Sequence, residues 1–107
     1  MGKKKKMIKN ILKNFDFKKV KDVMEYLEWG YFGTDIPPTE DSLIETAKHC
    51  LKSSYKQAKE NRKPDVTFIC ATGGFKGSAA CNDEGKVDFL QLEFIVADWY
   101  VNYENNE

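Results

Sequence analysis

Between Ala71 and Ala80 the chain reads ATGGFKGSAA, with Gly73 and Gly74 adjacent and Lys76 and Ser78 close behind. Adjacent glycines expose backbone N–H groups, and a lysine and a hydroxyl beside them complete the parts of an anion-binding nest. The spacing does not fit the P-loop pattern GxxxxGK[ST], and GxGxxG is absent. Residues 75–81 read as a strand, not as the helix N-terminus on which a phosphate would sit. Two readings stand side by side. In one, Thr72, Gly73, Gly74, Phe75, Lys76 and Ser78 hold a small anionic, nucleotide-like ligand, with Trp29 and Trp99 as aromatics able to stack a base. In the other, the commoner use of such a pair, Gly73-Gly74 is a two-residue type I′ hairpin turn whose central positions both need positive φ.

Other chemistry is thinly provided for. His49, the one histidine, has no nucleophile or paired acid near it in sequence and reads as a helix-surface residue. Cys50, Cys70 and Cys81 lack CxxC or tetrahedral-zinc spacing, and read as buried thiols. Glu93 and Asp98 lie five apart on an expected strand and so face opposite ways. No catalytic group, metal or cofactor is expected, and the protein reads as non-enzymatic. Lys9, Asn10 and Lys13 interrupt what would be the apolar stretch of a secretion signal, so a cytoplasmic location with reduced thiols is expected. No apolar run is long enough to span a membrane. MGKKKK has Lys6 where a myristoylation signal wants serine or threonine.

Periodicity supplies the elements on which these residues stand. A chain of 107 residues, 41% hydrophobic and 32% charged, fits one globular domain. Residues 1–15 read as a basic arm with a short amphipathic helix (Ile8, Ile11, Leu12, Phe15), and residues 16–107 as one α+β domain. Asp16 caps a second helix with Phe17, Val20, Val23, Met24 and Leu27 on one face. GYFGTDIPP is a connector. Thr39 caps a third, long helix with Glu40 and Asp41 in its first turn and a stripe of Ile44, Ala47, Leu51, Tyr55 and Ala58, stopped at Pro64.

From residue 66 the period becomes two. Strands are expected at 66–72, 75–81 and 86–101, giving the order ααβββ: helices on one face of a three-stranded antiparallel meander. The turn pairs Thr72 with Phe75, Cys70 with Gly77, Phe68 with Ala79 and Val66 with Cys81. Val66, Phe68, Cys70, Phe75, Ala79 and Cys81 then share the core face. Matching the apolar face of the third strand (Leu90, Leu92, Phe94, Val96) calls for an even loop at residues 82–85. The outer face carries Ile69, Phe89, Ile95 and Trp99 interleaved with Lys76, Ser78, Gln91 and Glu93. Such a surface points to a partner. Ile69, Phe89, Gln91, Glu93, Ile95 and Trp99 are the candidate interface, a second copy being the simplest occupant.

Charge is divided along the chain. Residues 1–21 hold nine lysines against one acid, and residues 83–107 seven acids against one lysine. Such a split favours self-association, or a basic arm folded onto its own acidic end. Arg62 is the only arginine, which argues against base-specific DNA reading, since lysine lacks the bidentate fork. The lysine arm remains a candidate for nucleic-acid phosphates, or for a membrane surface.

The segments FDFKKVKDVMEYLEW (15–29), PPTEDSLIETA (37–47), ATGGFKGSA (71–79) and LQLEFIVADWY (90–100) resemble a family of small bacteriophage and prophage proteins. The resemblance covers most of the chain beyond residue 15, and the lysine arm departs from that family's compact start. It implies phage origin, hence the host cytoplasm, and carries over no enzymatic residue. Small phage proteins without catalytic groups often counter host defence. The expectation is therefore an oligomeric accessory protein that sequesters a nucleotide-like signal. The rivals are an inhibitor of a host defence protein or assembly module using the outer sheet face, and a nucleic-acid binder led by the lysine arm.

Overall fold

A 22-residue helix, Glu40–Asn61, is the element against which the others are assembled. The computed structural model describes residues 2–26 and 39–95. In chain order the elements are α1 (Lys3–Asn14), α2 (Phe17–Tyr26), α3 (Glu40–Asn61), β1 (Thr67–Thr72), β2 (Phe75–Cys81) and β3 (Val87–Phe94). The strands form one antiparallel sheet in the order β1-β2-β3, and the helices pack on one side of it, as the sequence predicts.

The starts of α2 and α3 are made by local signals. The Ser42 N–H donates to Thr39 Oγ1 at 3.1 Å, and the Thr39 N–H donates to Ser42 Oγ at 3.0 Å. This is a capping box with serine in the acceptor position usually held by Glu or Gln. Asp16 caps α2 through its Oδ1, which accepts from the Lys19 N–H at 3.0 Å. α3 ends where Arg62 turns left-handed (φ 53°) and donates its N–H to the Ala58 carbonyl at 2.9 Å.

The core lies between α3 and the sheet. Leu43, Ala47, Cys50, Leu51, Ser54 and Ala58 of α3 are buried, so the inward face centres slightly to one side of the expected stripe and leaves Ile44 half-buried. Ile8, Phe17, Val20, Val23 and Met24 bring α1 and α2 into the same cluster. Phe75 stands at its centre, fully buried, with the rings of Phe94, Phe17 and Phe15 at 5.3, 6.0 and 6.1 Å.

The β1–β2 register is the expected one from Phe68↔Ala79 to Thr72↔Phe75. Val66 departs from expectation. It lies in the link between α3 and β1, outside the paired residues, and is 37% exposed instead of core. Cys70 is only half-buried, because β1 is an edge strand and its inner face is covered from one side only.

The β2–β3 connection corrects the even-loop expectation. Cys81 faces Val87, leaving five residues between them, while Ala80 faces Phe89. The register slips by one residue, with Asp88 left over as a bulge that returns Leu90, Leu92 and Phe94 to the inner face. The reason is the turn chemistry of Asn82. Its N–H donates to the Lys86 carbonyl at 2.8 Å, and its Oδ1 accepts the N–H groups of Glu84 and Lys86. Gly85 supplies the left-handed residue (φ 77°) that closes this tight loop. β3 begins at Val87 and ends at Phe94, short of the strand expected over 86–101: Ile95 is no longer part of it, and residues 96–101 lie outside the described residues.

Candidate functional site

Gly73 and Gly74 form the two-residue turn, with φ of 60° and 88°. The fold uses both glycines. A Cβ on Gly73 would come within 2.7 Å of Thr46 Cγ2, so the turn is held tightly against α3. The Gly74 carbonyl accepts the Ile95 N–H at 3.0 Å, tying the turn to the end of β3.

The structure divides the expected ligand residues between two sides. Thr72 and Phe75 belong to the helix side. The Cys50 thiol lies 3.9 Å from both their carbonyls, and the Phe75 ring is enclosed in the core, out of reach of a ligand on the outer face. Lys76 and Ser78 lie on the outer face. The Lys76 ammonium stands 4.0 Å from the carboxylate of Glu93, its partner in register on β3. Ser78 is only 4% exposed, a small side chain on the central strand between longer neighbours. Trp29 and Trp99 lie outside the described residues.

The same registers define the outer face of the sheet. Thr67, Ala80 and Phe89 lie in one row across it, Ile69, Ser78 and Gln91 in the next, and Ala71, Lys76 and Glu93 in a third. The middle strand contributes small side chains in the first two rows, so the face is a shallow trough flanked by Ile69 and Phe89. These two and Ile95 are 50%, 43% and 47% exposed. Gln91 and Glu93 are exposed beside them.

Of the titratable core groups, Cys50 is the most perturbed. Burial, reinforced by the neighbouring Cys70 thiol, pushes its pKa up to about 11, so it is a protonated packing group at neutral pH. Cys81 is also buried and donates to the Ala58 carbonyl at 3.2 Å. His49 is exposed on α3.

A second feature was not legible in the sequence. At the far end of α3 from its Thr39 cap, a cleft of about 320 Å³ is lined by Lys3, Tyr55, Lys59, Arg62, Glu84 and Lys86, among others. A neighbouring cleft of about 510 Å³ shares Tyr55, Lys59 and Arg62 and adds Lys4, Lys56 and Glu60. The Lys4 ammonium sits 5.9 Å from the centre of the Tyr55 ring. The β2–β3 loop is held here because Gly85 packs on Arg62, where an added Cβ would be 3.3 Å from the Arg62 Cβ. In sequence these cations come from three distant segments, so only the fold assembles them.

Fold and site together define an α+β domain with an apolar-edged outer sheet face and a cationic cleft. No protein-family model, curated protein sequence or solved structure matches the chain. Among the described residues no helix is long and apolar enough to cross a membrane.

Proposed function

We propose that the protein is a non-enzymatic binding module that self-associates through the outer face of its sheet. The observation that carries this reading is the exposure of Ile69 and Phe89 on the side opposite the helices. With each about half in water, Ile69 and Phe89 forgo roughly half of the about 1.5–3 kcal/mol that full burial of such a side chain supplies. The charges between them, Lys76 and Glu93, are already paired, so a second copy meets no net like charge. A phage accessory role against host defence is part of this proposal, an expectation taken from the resemblance read in the sequence. In that role the assembled module sequesters an anionic, nucleotide-like ligand.

The rival reading uses the same face to cap a host defence protein. Native mass spectrometry of protein purified from cells separates the two. Self-association predicts masses at multiples of the chain, and sequestration predicts a retained anionic ligand that denaturation releases. A bare single chain at high micromolar concentration contradicts the reading.

A further inference from the structure

We propose that the basic track running along α1 and into the cleft at the end of α3 is a binding surface for the phosphate backbone of a nucleic acid. Lys3, Lys6, Lys9 and Lys13 succeed one another at three- and four-residue spacing, so they lie along one side of α1, where they line a groove of about 530 Å³ with Asn10 and Met7. From Lys3 to Lys13 the helix rises about 15 Å. That is the axial length of roughly four successive phosphates of one B-form strand. Lys3 also lines the cleft that holds Lys59, Arg62 and Lys86, so the row of charge continues off the helix. Arg62 supplies there the one planar fork that suits a phosphate.

Two further observations sharpen the assignment. Among the described residues the ion pairs are Lys21–Glu25, Lys76–Glu93 and Lys86–Glu84, so the α1 lysines, Lys59 and Arg62 stand without a carboxylate partner. α1 also opens with no side-chain cap and no acid in its first turn, and its dipole adds to the potential of Lys3–Lys6 instead of relieving it. An anion laid along the track offsets both costs. A membrane surface fits less well. Ile8 is 4% exposed and Ile11 and Leu12 pack against the same core, so the apolar side of α1 is already used and cannot enter a bilayer.

The test is fluorescence anisotropy of the full-length protein with labelled oligothymidine and with a labelled duplex, titrated at salt concentrations upward from about 50 mM. Binding should weaken linearly in log–log form as salt rises. Replacing Lys59 by Gln and Arg62 by Asn, which tolerates the left-handed conformation at that position, should weaken oligothymidine binding at least about tenfold at low salt. The same pair should flatten the salt slope by about 1.4, or about 0.7 per lost phosphate contact. Lys18→Gln with Lys19→Gln, exposed on α2 and lining none of these clefts, should leave affinity and slope unchanged. Thermal melting checks the fold of each variant. If the Lys59/Arg62 pair melts early, Lys3→Gln with Lys6→Gln must show the same flattening. No binding at the lowest salt, an unchanged slope, or sedimentation with phosphatidylserine vesicles without nucleic-acid binding would each overturn the proposal.

Discussion

Gly77 sits on the central strand where α3 passes closest. A Cβ there would lie 2.6 Å from the Cys50 carbonyl oxygen and 2.8 Å from its carbon, backbone atoms that a side-chain rotation cannot move. The same close approach of strand and helix lets Ser54 donate its hydroxyl to the Gly77 oxygen at 2.7 Å. Gly77→Ala should therefore cost about 2–3 kcal/mol, the upper part of the range for overpacking, read from urea unfolding. Cys50 gives a pH prediction. Its pKa in the fold, about 11, lies above the ordinary 9.0. The folded chain thus holds a proton that the unfolded chain loses as pH rises from about 9 to about 11. Stability should fall across that window, and the fall should be shallower in Cys50→Ala when both proteins are followed by denaturant unfolding. At this scale the sequence is informative wherever a signal is local. Asp16 and Thr39 act within three residues of themselves, and the Gly73-Gly74 pair sets its own φ angles. The role of Gly77 depends on a helix more than twenty residues away, and no local pattern announces it.

α1 is the element whose character changes most between sequence and structure. The basic arm is itself helical, with Lys3–Lys6 forming the first turn, and Ile8 is buried with Leu43 and Phe75 in the main core cluster. Ile8→Ala should destabilise the fold by at least about 2 kcal/mol in chemical denaturation, as for other core Ile truncations. A solvated arm would leave stability unchanged. The glycine hairpin carries the opposite expectation. Lys76 is half-exposed and its ion pair with Glu93 spans 4.0 Å. Lys76→Ala should shift stability by no more than about 1 kcal/mol, the ceiling for exposed pairs. If the turn cradles an anion, the same change should weaken nucleotide binding by calorimetry while the fold stays intact. The β1–β2 pairing is readable because period-two alternation and a two-residue turn leave little freedom. The β2–β3 loop escapes that reading because Asn82 closes a tight loop that shifts the register, and the bulge at Asp88 then restores it.

Across the whole molecule, two surfaces stand out. The helical side carries the basic track of α1 and the cleft at the end of α3, assembled from segments that are remote in sequence. The other side is the sheet face bearing Ile69 and Phe89 around small central residues. That face could be enumerated from the sequence because alternation assigns each strand residue to a side. The burial of Ser78 and the pairing of Lys76 could not, because both depend on neighbours across the strands. Whether copies of the chain join through this face is decided by light scattering coupled to size exclusion. Wild-type protein at high micromolar concentration should run at a multiple of 12.3 kDa. Ile69→Asp, at a half-exposed outer position, should keep the same circular dichroism and run as a single chain. Wild-type protein eluting as a monomer at that concentration, or an Ile69→Asp variant that assembles as the wild type does, would rule out self-association through the sheet.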